Sequence, residues 1–213
     1  MSVEVKEYYK NPDGSCKCLK IEYSTFKGKA HGSYTEYYEN GKIKMIQNYQ
    51  HGILHGPVVS YYESGHLSIE MTLQNNKRNG IYKDYYPNGS LKIIVNYVNE
   101  KREGIYKDYY PGPENGVGKL KVIVNCVNGF FHGIYKSYYD VLEGTEAIQD
   151  ENGIHGVLKE ECNDYQGKIH GILKRYFPNG KLKEQIIMNY GIPRGISKIY
   201  NSDGEIIETK NYG

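Results

Sequence analysis

The chain repeats itself. The stretch from Gly80 to Gly104, GIYKDYYPNGSLKIIVNYVNEKREG, can be laid over nearly the whole sequence. Aligned on the glycine that opens each copy, the starts fall at Gly32, Gly56, Gly80, Gly104, Gly133, Gly171 and Gly195, in steps of 24, 24, 24, 29, 38 and 24 residues. Residues from Gly14 onward read as the second half of an earlier copy. Self-similarity at such a period marks an array of supersecondary units, each too small to bury a core alone.

Within one copy the local chemistry points to a β-hairpin. Ile81 to Tyr86 is a run of strand formers, Pro87-Asn88-Gly89 breaks it, and Leu91 to Tyr97 resumes it. The second run alternates, most cleanly where Leu67, Ile69, Met71 and Leu73 stand against Ser68, Glu70 and Thr72. A period of two is the strand period, and no stretch carries the helical one. A two-residue turn on Asn88-Gly89 would put Pro87 where the ladder needs an N–H. A three-residue loop, with Pro at the second turn position and Gly89 left-handed, avoids this. That register sets Tyr85 opposite Leu91 and Asp84 opposite Lys92. Ile81, Tyr85, Leu91, Ile93, Val95 and Tyr97 then share one face, with Tyr82, Asp84, Tyr86, Lys92 and Asn96 on the other. The same count sets Glu36 opposite Lys44 and Asp108 opposite Lys121, opposite charges worth about 0.2–1 kcal/mol per pair. Arg175 facing Lys183 breaks the pattern.

These residues resemble the MORN repeat, and more closely its YY-x-NG-x-L variant. The match reads YYENGKIKMIQNYQHGILHG from Tyr37 to Gly56 and YFPNGKLKEQIIMNY from Tyr176 to Tyr190. The resemblance covers almost all of the chain. It implies an all-β fold, an elongated, twisted, single-layer antiparallel sheet of tandem hairpins. It also implies a non-catalytic role in scaffolding, dimerisation or attachment to proteins or lipids. The variant is similar to repeats in bacterial antitoxin-like proteins and in proteins of large DNA viruses. The chain departs from the common pattern in having no Trp.

Composition fits such a sheet. Twenty-four Tyr against four Phe is unusual for a closed core, whereas Tyr tolerates a half-wet surface because its hydroxyl stays solvated. The formal net charge is +2, with Lys and Arg mixed among Asp and Glu. No basic block suggests nucleic acid, and a membrane surface is disfavoured for the same reason. The start, MSVEVKEYYKNPDG, has no apolar signal region, and no run reaches membrane-spanning length, so an intracellular setting is expected, with virion association an extension drawn from the resemblance. Cys16 and Cys18 share a strand face, too close for a relaxed disulfide, and Cys126 and Cys162 lack metal-ligand spacing. Reduced, inert thiols are expected.

Taken in order, residues 1–213 read as a single array. Residues 3–30 form an opening hairpin whose first strand carries Glu4, Lys6 and Glu7, charges that discourage edge-to-edge pairing. Repeats from Gly32, Gly56 and Gly80 are regular. The repeat at 104–132 has a tip insertion, Pro111 to Gly118, expected to project outward as a loop. Residues 133–170 are irregular: one repeat with a tip enlarged between Asp140 and Gly156, or two short repeats, the reading that Gly153-Ile154-His155-Gly156 favours. Regular repeats return at 171–194 and 195–213, the final strand, Glu205 to Lys210, forming an edge.

No GxSxG, Walker loop, HExxH or paired-Cys metal site occurs, so no catalytic, cofactor-binding or metal-binding residue is assigned. Six histidines stand directly before glycine: His31, His51, His55, His132, His155 and His170. Successive corners lie about 9.6 Å apart, too far to share a zinc ion, leaving His51 and His55 as the one close pair. The candidate partner-binding surface is the set of tyrosine pairs, Tyr37-Tyr38, Tyr61-Tyr62, Tyr85-Tyr86, Tyr109-Tyr110 and Tyr138-Tyr139, with one ring sent to each face. A lone sheet cannot bury both faces, so protein partners or self-association are expected. The reading is a scaffold, with a component of a large viral assembly as its most specific form. The alternatives are an antitoxin-like protein and a membrane-surface module.

Overall fold

The computed structural model describes residues 2–140 and 147–213, apart from the side chain of Cys16. The shared face expected for Cys16 and Cys18 therefore lies outside the described residues. Regular structure in the described residues is all strand, and it falls into two compact units. One holds Met1–Glu100 with Pro113–Gly116, the other Lys101–Gly112 with Val117–Gly213. In the N-terminal unit the strands Ser2–Lys10, Cys16–Phe26, Lys29–Tyr37, Ile43–Gln50, Gly56–Tyr61, Leu67–Gln74, Gly80–Tyr85 and Leu91–Val98 lie side by side in chain order, each antiparallel to the next. In the C-terminal unit the same holds for Lys101–Tyr109, Leu120–Val127, Gly133–Tyr138, Leu158–Tyr165, Gly171–Tyr176, Leu182–Asn189, Ile192–Tyr200 and Ile206–Tyr212. The chain is all-β, a tandem series of antiparallel hairpins, as its period requires.

The turns follow the chemistry of Pro87-Asn88-Gly89. Gly89 lies at φ 78° and donates its N–H to the Tyr86 carbonyl at 2.8 Å, and the Tyr86 N–H takes the Ser90 carbonyl at 2.8 Å. A three-residue loop with a left-handed glycine results, and Tyr85 pairs with Leu91 as expected. The same pair of bonds closes the loops at Gly41, Gly65, Gly180 and Gly204.

Beyond the turn the expected register needs correction. Asp84 stands opposite Ile93, not Lys92, because Lys92 is the extra residue of a β-bulge. The irregularity recurs at the same place in each repeat: Tyr37 pairs with Ile43 but Glu36 with Met45, Tyr109 with Leu120 but Asp108 with Val122, Tyr176 with Leu182 but Arg175 with Glu184. A bulge sets two residues against one, so parity counted through it inverts. Ile93, Val95 and Tyr97 therefore lie with Tyr82 and Asp84, whereas Ile81, Tyr85 and Leu91 lie with Lys83, Ile94 and Asn96. The ion pairs survive the shift, since Lys44 reaches Glu36 at 2.7 Å, Lys92 reaches Asp84 at 3.2 Å and Lys121 reaches Asp108 at 3.3 Å. The bulge also removes the Arg175–Lys183 anomaly: Arg175 bonds Glu184 and Glu160, both at 2.8 Å.

The two faces then differ sharply. One carries Val58, Val95, Val124, Cys162 and Leu173, all buried. In the C-terminal unit Cys162, Leu173, Ile186 and Met188 form a cluster against which Tyr135 and the connector residue Ile169 pack. The connectors themselves are stacked by backbone bonds, Gly52 to Ala30 and Asn76 to Leu54 in one unit, Gly167 to Phe131 and Gly191 to Ile169 in the other. At the corners Gly133 and Gly171 adopt φ 90° and 92°, the left-handed turn that brings each connector back into the sheet.

Two insertions also differ from expectation. The tip at 111–118 does not merely project: Leu91 donates its N–H to the Gly116 carbonyl at 2.9 Å, and His66 Nε2 lies 3.0 Å from Glu114. Backbone groups left unpaired beyond the Asn88-Gly89 turn are satisfied this way. At 133–170, Gly133–Tyr138 pairs with Leu158–Tyr165, so this is one hairpin and not two short repeats. Its tip carries a small hairpin, Ile148–Asp150 with Gly153–His155, and residues 141–146 of that tip lie outside the described residues.

Candidate interaction surface

The bulge leaves the opposite face open. The residue after each opening glycine points there, and in five repeats it is isoleucine: Ile81, Ile105, Ile134, Ile172 and Ile196, between 48% and 65% exposed. Two residues on comes lysine, at Lys83, Lys107, Lys136, Lys174 and Lys198. In the C-terminal unit cross-strand pairing lines these up in one row, Lys107, Ile123, Lys136, Glu161, Lys174, Gln185 and Lys198. Four ammonium groups there face one carboxylate. The corresponding row of the N-terminal unit, Lys6, Glu22, Thr35, Ile46, Val59, Glu70 and Lys83, is balanced.

Shallow grooves run between successive isoleucines. One of about 320 Å³ is bounded by Ile105 and Ile134, with Ile123, Asn125, Lys136 and, from the tip hairpin, Glu151 and Asn152 in its lining. A second, of about 270 Å³, is bounded by Ile134 and Ile172, with Lys136, Lys174 and Asn163. The N-terminal unit has a counterpart of about 250 Å³ between Pro57 and Ile81. Each is a gap between two first strands, floored by the second strand between them.

The ten candidate tyrosines are half-buried, except Tyr138, which is buried. Six of their hydroxyls serve the fold. Tyr37 bonds Glu22 and Tyr85 bonds Glu70, along the open face. The second tyrosine of a pair reaches across to the next repeat: Tyr38 donates to the Tyr61 carbonyl at 2.8 Å, Tyr62 to that of Tyr85 at 2.7 Å, Tyr110 to that of Tyr138 at 3.0 Å, and Tyr139 to that of Tyr176 at 2.9 Å. The bulge lysine lies over that second ring, as Lys92 does over Tyr86 and Lys121 over Tyr110, each at 5.8 Å. The hydrogen bond to Glu22, with burial, pushes the Tyr37 hydroxyl up to about 12, and burial pushes Tyr138 to about 12, so both remain neutral. Tyr62→Phe is expected to cost about 1 kcal/mol, the worth of one part-buried hydrogen bond, read as a lower denaturant midpoint with an unchanged slope.

The histidine corners hold nothing that resembles a metal centre. Among the described residues no group of three or more His, Cys, Asp or Glu side chains converges. The close histidine pair is His31 with His51, ring centroids 4.9 Å apart, in place of the expected His51 and His55. Stacked connectors bring together corners twenty positions apart in sequence, which loop proximity does not anticipate. Cys18, Cys126 and Cys162 are free thiols, and burial pushes Cys162 up to about 12, so it is an inert core residue. Among the described residues no helix is long and apolar enough to cross a membrane.

Residues 30–51, 54–75, 78–99 and 169–190 each match the family model of the MORN repeat variant. This is a MORN repeat protein. The matched segments run from the connector residue before one corner, through both strands of a hairpin, into the next connector, the unit that the strand pairing defines. MORN repeats as a family are non-catalytic scaffolds for protein or membrane interaction. No curated protein matches the chain. The lysine column was missed in the sequence because its members stand a whole repeat apart, so no contiguous basic block forms. Aligning the repeats by column would have shown it.

Proposed function

We propose that this MORN repeat protein is a non-catalytic scaffold that binds protein partners across its sheet. The observation that carries the reading is the line of exposed isoleucines on the open face, repeated at five corners, since an apolar array of that kind marks an interaction surface on a folded protein. The proposed surface includes the half-buried rings of Tyr37, Tyr61, Tyr85 and Tyr109, which stand at the hairpin tips on the face of the isoleucine and lysine columns, whereas Tyr38, Tyr62, Tyr86, Tyr110 and Tyr139 turn to the other face and Tyr138 is buried against His155. With the Tyr37 and Tyr85 hydroxyls held by Glu22 and Glu70, these rings offer flat, pre-ordered contact area at low entropic cost.

Affinity capture from the source organism, read by mass spectrometry, tests this. The expected result is stoichiometric retention of at least one protein. Retention of a single small protein encoded beside this one supports the antitoxin-like form. Retention of several components of a shell supports a part in a large assembly, a viral particle included. A chain that retains no protein, while binding lipid vesicles, would place the activity at a membrane and overturn the proposal.

A further inference from the structure

The open face of the C-terminal unit has a spacing and a charge that together specify an occupant. Ile105, Ile134, Ile172 and Ile196 each sit two strands from the next, which is about 9.6 Å per step. An extended polyproline II segment places every third side chain on the same side, about 9.3 Å apart. A β-strand offers same-side residues every 6.6–6.8 Å or so, which does not fit the grooves. An α-helix repeats its face about every 10.5 Å, so over three steps it drifts by about 2.7 Å where polyproline II drifts by about 0.9 Å.

Charge narrows the choice further. The lysine row runs parallel to the isoleucines, about 6.6–6.8 Å away along the strands. Glu161 is the one carboxylate in that row, 3.7 Å from Lys174, and Lys107 donates to the Asn152 carbonyl at 2.9 Å beside Glu151, so the net positive charge centres on Lys136, Lys174 and Lys198. Polyproline II makes no internal hydrogen bonds, so its carbonyls need donors from the surface that holds it. Asn125 and Asn163 are placed in the two grooves to supply them.

We propose that this face docks an extended, acidic segment of a partner protein in the polyproline II conformation, an apolar side chain entering successive grooves at every third position and carboxylates meeting the lysine row. The proposal rests on the reading that the open face holds a protein, and it names the chemistry of that protein. Docking of this kind uses a preformed, low-entropy ligand.

The test uses the full chain and a fluorescein-labelled twelve-residue peptide of Glu-Pro-Ile repeated four times, with a scrambled peptide of the same composition as control. Fluorescence anisotropy at low salt is expected to show the periodic peptide binding at least tenfold more tightly than the scramble. Ile134→Ser with Ile172→Ser, and separately Lys136→Gln with Lys174→Gln, are each expected to weaken it at least tenfold while leaving thermal unfolding nearly unchanged, because both isoleucines are exposed and the glutamines keep the length of the half-buried lysines without setting a like charge beside Glu161. Equal binding of the two peptides, indifference to both double variants, or binding to phosphatidylserine vesicles with none to the peptide would overturn the proposal. Affinity capture separates this from the wider reading. A partner retained equally by wild type and by the Ile134→Ser, Ile172→Ser variant removes the groove but leaves the scaffold. Retention of no protein by either removes the scaffold itself.

Discussion

Leu173→Ala is expected to cost about 2–5 kcal/mol, whereas Ile172→Ala, one position earlier, is expected to cost well under 1 kcal/mol. Leu173 is 2% exposed and belongs to the cluster with Cys162, Ile186 and Met188. Its truncation removes buried methyl groups and leaves a cavity that a sheet pinned on both sides by hydrogen bonds cannot close. Ile172 is 48% exposed on the open face, so the folded state loses little when it is shortened. Circular dichroism during urea unfolding, with both variants compared in one buffer, checks the contrast. Equal costs would mean that the bulge does not set the faces as described.

The second large effect concerns a carboxylate where a sister repeat has an apolar side chain. Asp164 pairs with Gly133 in the slot that holds Leu73, Tyr97, Cys126 and Met188 opposite the other opening glycines. It is buried, and its Oδ1 has no hydrogen-bond partner. Burial raises its pKa, with the N–H groups of Gly167 and Lys168 and the His132 ring pulling the other way. A carboxyl whose folded pKa lies above its unfolded value penalises folding when ionised. That penalty is fully present at pH values above the folded pKa and disappears as pH falls towards the unfolded value near 3.9. Asp164→Asn removes the charge and keeps an oxygen for the two N–H groups. At pH 7 it is expected to stabilise the protein by about 1–3 kcal/mol, and the gain is expected to shrink steadily towards pH 4. Thermal unfolding midpoints of both proteins across that range measure it. A gain that grows on acidification would contradict the account.

How much of this was legible in the sequence depends on the distance over which each signal acts. The repeat, the hairpin and the left-handed Gly89 are local, and the pairing of Tyr85 with Leu91 followed from them. The bulge at Lys92 was not seen, because Leu91, Ile93, Ile94 and Val95 are all apolar and satisfy either parity. Two clues were present: the adjacent pairs Ile93-Ile94 and Ile186-Ile187, which a strict alternation cannot place, and the clash of Arg175 with Lys183 that the bulge resolves. The connection of Tyr38 to the Tyr61 carbonyl, and of His31 to His51, depends on neighbouring repeats and has no signature within one. The lysine row is likewise a property of the stack, as each repeat contributes a single residue.

Photo-cross-linking tests the central claim most directly. A benzophenone amino acid placed at Ile172 stands on the open face, and one at Lys183 stands at the bulge, beside the Phe177 ring. In lysate of the source organism, irradiation is expected to join a partner protein to the chain from position 172 and not from position 183. Capture from 183 with none from 172 would contradict the account, since partners would then be held at the bulge and not on the open face.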